Sequence, residues 1–243
     1  MIKEKSYKYG NTNFKIPIGI YDVLINDCVK FGYIKGEEVN FSGFINNIIP
    51  KLMMSREDFH NELLKENNKD EDLVIVIEKN IYNNYLKTFN LDTDINLNVP
   101  FRINKDSRER FNYIIDVLLE KYDTDFTNFI RNLLFEYSIK KENQRELFYY
   151  YEYMSKIKNA IKKSEIIIVN TNKDALKFIP CGIELSKCSR FNYLCGYDES
   201  DNQTIIVKMF CIKTISFSGK YIKTNKMDDV IEQIYQLIEQ EDE

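Results

Sequence analysis

The sequence has little of the material from which catalytic and metal sites are usually built. Its 243 residues include one histidine, His60, which has no neighbours at the spacing of metal ligands. Its five cysteines form no CxxC pair. A glycine-rich phosphate loop, a histidine partner for a nucleophile and paired carboxylates in a catalytic motif are also missing. We therefore expect no enzymatic activity, no metal and no cofactor. We expect the cysteines to behave as free, small hydrophobic residues, and His60 to lie on the surface of a polar helix.

Long apolar runs are missing as well. No segment approaches the length of a membrane span, and the first five residues are charged rather than apolar as in a signal peptide. This predicts a cytoplasmic protein without membrane contact. The composition, 44% hydrophobic and 30% charged, is typical of a globular protein. A net charge of −4 argues against a nucleic-acid binder that uses its whole surface, but it leaves room for a local basic face.

What the sequence does contain is one pattern that occurs twice. A short run of alternating apolar and polar residues at 13–18 recurs at 99–104. Each run is followed by a helix-like stretch and then by the order Asx-Phe-hydroxyl-small-Phe-Ile-x-Asn with two aliphatic residues, at 40–49 and 125–134. An internal repeat indicates that the chain contains the same structural unit twice. Strand, helix, turn and helix outline a ribbon-helix-helix unit, and we interpret the N-terminal half as two such units in one chain.

The predicted class is α+β, with six segments. Ribbon-helix-helix-like units are predicted at 12–54 and 96–139, with a helical insertion at 55–95 that Ser55 would cap. A tyrosine-rich run at 140–163 predicts one long connecting helix. The hydrophobic period then changes to two, which predicts a small β-sheet domain at 164–223 whose fourth strand runs from Thr204 towards Ile215. A C-terminal helix is predicted at 224–243, and its acidic end should fray because it opposes the helix dipole.

The two repeated strands are expected to pair antiparallel with each other, so that the chain makes its own ribbon and acts as an intramolecular pseudo-dimer. Parity places Phe14, Ile16 and Ile18 on one face, with Pro17 on the other. A ribbon of this kind enters the major groove, where arginine can read guanine and asparagine can read adenine. The candidate base-contacting residues are Asn13, Lys15, Asn98, Arg102 and Asn104. Because the halves differ, the DNA site would be asymmetric or an imperfect palindrome.

Backbone N–H groups at the start of each second helix are candidate phosphate contacts. The residues concerned are Ser42, Gly43, Thr127 and Asn128. A simpler interpretation is that Ser42 and Thr127 are helix caps, and both interpretations can hold. For Lys15 and Arg102 the simpler alternative is a solvated edge charge that keeps the ribbon from aggregating.

The C-terminal half carries a second pattern. Segments 178–185 and 192–198, the latter ending in Gly196-Tyr197-Asp198, resemble a WYL domain, a family named for a Trp-Tyr-Leu run ahead of a Gly-Tyr-Asp turn. The run 208–215 is similar to the family's Arg-x-Phe-x-aliphatic-x-Arg-Ile, but it is off by one at the last place and has lysine at both basic positions. Asn192 stands in place of the tryptophan, and Lys177 is the cation nearest to the arginine expected before Pro180.

WYL domains are regulatory modules that often accompany DNA-binding domains. The resemblance implies that this one binds a nucleic acid or nucleotide through basic and aromatic residues. The candidates are Lys177, Lys187, Arg190, Tyr193, Lys208 and Lys213. For Tyr193 the alternative is core packing. The odd spacing of Lys208 and Lys213 places them on opposite faces of an ideal strand unless a bulge or turn intervenes.

Three functions from different classes follow. The first is a cytoplasmic transcriptional regulator that binds duplex DNA and senses a ligand through its WYL-like domain. The second is an RNA-binding accessory protein that modulates a CRISPR effector nuclease, because the combination of the two regions resembles regulators of phage defence and CRISPR accessory factors. The sheet would then contact single-stranded nucleic acid. The third is a protein-interaction scaffold with a degenerate ribbon. Homodimerisation through the last helix or the sheet is left open.

Overall fold

The structure is a computed structural model, and it describes residues 12–88, 96–222 and 227–242. The chain divides into two compact units after Lys140. The first unit is mainly helical, and the second is built on a five-stranded antiparallel sheet, so the predicted mixed α+β class is confirmed. The predicted end of the helical insertion, 89–95, and the predicted first residues of the last helix, 224–226, lie outside the described residues.

The first unit contains short strands between helices. In chain order the elements are β1 (Thr12–Pro17), α1 (Ile18–Lys30), β2 (Ile34–Lys35), β3 (Glu38–Val39), α2 (Phe41–Glu66), α3 (Glu71–Thr88), β4 (Asn96–Phe101), α4 (Arg108–Tyr113), α5 (Leu119–Lys121) and α6 (Phe126–Ser138). A five-residue π-helix, Ile114–Leu118, joins α4 to α5.

Strands β1 and β4 pair antiparallel as a two-stranded ribbon, as the repeat predicted. Asn13 lies opposite Pro100, and Lys15 lies opposite Asn98. One ribbon face is buried because its alternate residues are apolar; its members are Phe14, Ile16, Val99 and Phe101. The parity prediction is wrong at Pro17, which is buried although it should have faced outwards, and at Ile18, which is exposed although it should have faced the core. The chain turns into α1 directly after Pro17, so the strand period no longer applies there.

The second helix of each copy, α2 or α6, begins at an Asx cap. The Asn40 side chain accepts a hydrogen bond from the Gly43 N–H at 2.9 Å, and Asp125 accepts one from the Asn128 N–H at 2.9 Å. Ser42 and Thr127, predicted as possible caps, instead lie inside the first helical turn. The reason is chemical: asparagine and aspartate are among the best N-cap residues, and here they stand first in the repeated motif.

Helix α2 is longer than predicted. The expected helix start at Ser55 is wrong, because α2 continues unbroken from Phe41 to Glu66 with Pro50 inside it. Proline has no N–H, so the Asn46 carbonyl loses its helical partner. The Ser107 hydroxyl donates to that carbonyl at 3.3 Å. A side chain from the second copy therefore supplies the hydrogen bond that the Asn46 carbonyl lacks because of Pro50, and the helix can continue.

The second unit begins with two helices, continues with five strands and ends with a helix. Its elements are α7 (Glu142–Tyr149), α8 (Tyr151–Lys163), β5 (Glu165–Thr171), β6 (Ala175–Leu185), β7 (Asn192–Asp198), β8 (Gln203–Lys208), β9 (Ile212–Tyr221) and α9 (Met227–Glu241). The prediction of one helix over 140–163 is wrong, since the helix breaks at Tyr150. The Tyr150 ring is buried, and its hydroxyl donates to the Ile212 carbonyl at 2.8 Å. This contact with the sheet favours the break.

The strand order is β8-β7-β6-β5-β9, with every pair antiparallel. Its outermost strands are joined by only three residues, Met209–Cys211, in a 3₁₀ turn. The four-residue step from Lys208 to Ile212 spans at most about 14 Å. The outer strands of a flat five-stranded sheet would lie about 19 Å apart. The sheet is therefore strongly curled, and the prediction of one strand from Thr204 towards Ile215 is wrong because the turn divides it.

Helix α9 packs on the curled sheet. Its apolar stripe, Val230, Ile234 and Ile238, is buried against Tyr193, Cys195 and Tyr197 of β7. This packing follows from the helical spacing of the three aliphatic residues. It also fixes where the acidic end of the helix lies.

Candidate nucleic-acid interface

The outward face of the ribbon is polar and exposed. Asn13, Lys15 and Asn98 are exposed on it, and Arg102 is exposed immediately after β4. Lys15 and Arg102 occupy equivalent positions in the two copies, each directly after the buried Phe14 or Phe101. The rings of these two phenylalanines meet edge to face, with centroids 5.9 Å apart. Asn104 is exposed, but its backbone and side chain hold the turn: its N–H donates to Asn46 at 3.0 Å, and its Oδ1 accepts from the Ser107 N–H at 2.8 Å.

The two copies hold each other's strands through equivalent residues. In copy one, the Asn46 side chain donates to the Arg102 carbonyl at 2.8 Å. In copy two, the Arg131 Nε donates to the Lys15 carbonyl at 2.8 Å. Asn46 and Arg131 are the same position of the repeated motif, so the contacts exchange between copies as a two-fold axis would require. Burial lowers the pKa of Arg131, although a nearby Asp125 opposes this effect.

The proposed phosphate contacts at the helix starts are partly occupied. The N–H groups of Gly43 and Asn128 donate to the Asx caps. Ser42 and Thr127 lie beside them and are half-buried. The helix dipoles still favour an anion at these ends, but a phosphate would have to bind at the remaining groups of the first turn.

In the second unit, Lys208 lies beside aromatic rings. Its Nζ is 5.5 Å from the centroid of the Phe191 ring and 6.0 Å from that of Tyr193. Tyr193 is only 1% exposed, so its ring belongs to the core and only Phe191, which is half-buried, offers ring surface beside the cation. The Tyr193 hydroxyl donates to Asp242 at 2.8 Å. Burial raises the pKa of Tyr193, and the bond to Asp242 adds to the effect.

Three of the predicted cations are paired with carboxylates. Lys187 lies 3.0 Å from Glu239, and Lys208 lies 3.1 Å from Glu241, both in the last turns of α9. Arg190 instead pairs with Glu142 of α7 at 3.1 Å. We refer to Lys187, Phe191 and Lys208 as the lysine patch. Sequence reasoning missed Phe191 and the three carboxylates, because no local pattern showed that α9 would end beside β7 and β8.

The other two predicted cations lie elsewhere on the sheet. Lys177 is exposed on β6 and lines a cavity of about 200 Å³ together with Tyr197 and Asp198. Lys213 is exposed on β9, at the opposite end of the strand order from Lys208. The odd spacing of Lys208 and Lys213 allowed them to share a face only if a bulge or turn lay between them, and the 3₁₀ turn between β8 and β9 is such an interruption. The turn, however, leads from one end of the strand order to the other, so the two lysines lie on different outer strands.

The larger cavity lies in the first unit. It has a volume of about 440 Å³, and His60, Arg56 and Lys121 are among its lining residues. The prediction that His60 lies on the surface is wrong: its side chain is 13% exposed and lies 3.1 Å from Glu78 and 3.2 Å from Glu71. The size suits a small molecule, and π-helices such as Ile114–Leu118 often occur at functional sites. Cations and glutamates line the cavity together, so its charge does not select one class of ligand.

Within the described ranges, no group of three or more His, Cys, Asp or Glu side chains is arranged to hold a metal ion. None of the described helices is long and apolar enough to cross a membrane.

Comparison with known proteins identifies a fold but no family. No protein-family model matches the chain, and no curated protein matches it. A solved structure described as a CRISPR Cas-related protein matches with a TM-score of 0.67 and 16% sequence identity. The match covers 93% of this chain and 68% of the other. At that identity, the likeness shows a shared fold.

Proposed function

We propose that this protein is a nucleic-acid-binding regulator that works with a CRISPR system, and that its first unit is a tandem ribbon-helix-helix-like module that binds duplex DNA. The observation that carries this proposal is the ribbon itself. One chain supplies both antiparallel strands, and equivalent residues of the two copies hold them in register. The CRISPR association rests on the description of the structural neighbour.

The chemistry of the ribbon suits a groove reader of modest affinity. Lys15 and Arg102 are exposed at equivalent positions, and Asn13 and Asn98 lie on the same outward face as Lys15. Arginine can bond guanine with two hydrogen bonds, whereas lysine supplies a single charged donor group. Each half therefore offers one strong cation beside amides, which favours a site with unlike halves.

Removal of both cations tests the ribbon. For the Lys15→Ala/Arg102→Ala variant we expect weaker binding to a mixed-sequence DNA duplex. The slope of log affinity against log salt concentration should become shallower by roughly 1.8, because two phosphate contacts are lost. Lys35→Ala/Lys65→Ala is the matched control, because it removes two exposed cations of the same unit that lie outside the ribbon. Unchanged affinity and salt slope in the ribbon variant would refute DNA binding through this face.

A second candidate function is single-stranded RNA binding by the curled sheet, in an accessory protein that modulates a CRISPR effector. The observation that favours it is the position of Lys208 beside the Phe191 ring, with Lys187 held by the same helix end. A cation beside an accessible part of an aromatic ring is the usual means of holding an unpaired base and its phosphate, and Phe191 is half-buried.

Two lysines distinguish this site from general charge attraction. Lys208→Ala should weaken binding of labelled oligouridylate, whereas Lys220→Ala, which removes an exposed cation near the far end of β9, should leave it almost unchanged. Equal losses in both variants would mean that the lysine patch is not the site. Duplex DNA measured in parallel decides which unit makes the main contact.

A further inference from the structure

We propose that the acidic end of α9 occupies the lysine patch and that single-stranded nucleic acid must displace it to bind. The inference rests on the second candidate function, because it assigns the regulation of that same surface. The occupant is a segment of this chain, and its carboxylates take positions that phosphates would take.

Three acidic residues make four contacts there. Glu239 pairs with the Lys187 ammonium at 3.0 Å, and Glu241 pairs with the Lys208 ammonium at 3.1 Å. One oxygen of Asp242 accepts a hydrogen bond from the Tyr193 hydroxyl at 2.8 Å, and the other accepts one from the Lys187 N–H at 2.6 Å. Both lysines of the patch are therefore neutralised within the chain.

These carboxylates lie at an end of the helix where they are unfavourable on their own. Acidic residues at a helix C-terminus oppose the macrodipole, and an isolated helix with this ending would fray. The expectation of fraying is wrong for the described end of α9, which remains helical to Glu241. The contacts with the sheet explain the difference, because they supply cations and donors that the helix alone lacks.

The same contacts are easily exchanged. The side chains of Lys187 and Glu239 are 53% and 59% exposed, and those of Lys208 and Glu241 are 30% and 54% exposed. Solvated ion pairs contribute little and are screened by salt. The apolar stripe of α9, in contrast, is fully packed on β7. The last turn can therefore release the patch while the rest of the helix stays docked, and a strand of phosphates can compete for the same lysines.

Neutralising the tail tests the proposal in the full chain. In the Glu239→Gln/Glu241→Gln/Asp242→Asn variant we expect affinity for labelled oligouridylate to rise about 5- to 30-fold at moderate salt, the ratio that one or two kcal/mol produces. The control is Glu152→Gln/Asp201→Asn/Glu232→Gln, which removes the same charge from exposed positions of the same unit. The control should change affinity much less.

The outcomes separate the inference from the function on which it rests. A larger gain in the tail variant than in the control supports displacement, as does binding that is detected only in the tail variant. Equal affinities of the tail variant and wild type, with measurable binding in both, overturn the inference and leave the binding function in place. If neither protein binds, the binding function fails, and the inference falls with it. Adding Lys208→Ala to the tail variant should abolish its gain, and retention of the gain would place the effect outside the patch.

Discussion

A buried carboxylate holds Asn192 at the start of β7. Glu146 of α7 is fully buried, and one of its oxygens accepts hydrogen bonds from the Asn192 N–H at 2.6 Å and from its side chain at 2.7 Å. The Asn192 side chain also donates to the Asn143 carbonyl at 2.8 Å. The start of β7 is thus fixed to α7 by a polar pair.

Removing either partner should destabilise the second unit. Glu146→Ala leaves the buried Asn192 N–H without its acceptor and removes one acceptor of the Asn192 side chain, and a buried donor left unsatisfied costs about 1–3 kcal/mol. Asn192→Ala keeps the backbone bond to Glu146 and removes the two side-chain bonds, to Glu146 and to the Asn143 carbonyl. A hydrogen bond to a charged carboxylate contributes about 1.5–3 kcal/mol. Because the two residues share a bond, the double variant should lose less than the sum, with a coupling of about 1.5–3 kcal/mol.

The measurement is a double-mutant cycle from urea unfolding, followed by circular dichroism. Hydrogen exchange of the β7 amides assigns the transition to the second unit. The control cycle uses Glu142→Ala and Arg190→Ala, an ion pair between the same helix and the loop before β7 in which Arg190 is exposed. Solvent screening should keep its coupling small. A coupling for Glu146 and Asn192 no larger than that of the control would refute the assigned role.

Two further predictions concern the sheet and its thiols. A Cβ at Gly196 would overlap the Phe178 ring and a strand carbonyl, so Gly196→Ala should lower the free energy of unfolding by about 1–3 kcal/mol in urea; Gly19→Ala, in open space on α1, should not lower it. Burial raises the pKa of Cys195 to about 12. Because only the thiolate reacts, at pH 8 iodoacetamide should label the exposed Cys188 well before Cys195, as peptide mass spectrometry would show; equal rates would contradict the burial.

Local patterns predicted the regular elements well and their ends less well. The alternation at 13–18 corresponds to β1, and the antiparallel partner at 99–104 corresponds to β4 with a small shift. Side-chain alternation depends only on neighbouring residues, so it can be read directly from the chain. The continuation of α2 through Ser55 could not be predicted from neighbouring residues. It depends on the hydrogen bond from the Ser107 hydroxyl to the Asn46 carbonyl, which lies four residues before Pro50.

The candidate site was less predictable for the same reason. Lys187 and Lys208 were identified from the WYL resemblance, but the carboxylates that neutralise them lie far along the chain in α9. The acidic tail was visible in the sequence, and its helix dipole predicted fraying. Only the packing of Val230, Ile234 and Ile238 on β7 places that tail against the lysines. Periodicity shows that a helix has an apolar face, but not which strand covers it.

The repeated motif acquires a different meaning once its residues are assigned. Its leading Asx caps a helix in both copies, its phenylalanines are buried, and its Asn46 or Arg131 position holds the opposite strand. The similarity of these motif residues is therefore explained by folding. The outward positions are where the copies differ, with Lys15 in one and Arg102 in the other. If the ribbon reads DNA, the two half-sites must differ as well, and a perfect palindrome should bind no more tightly than a site with unlike halves.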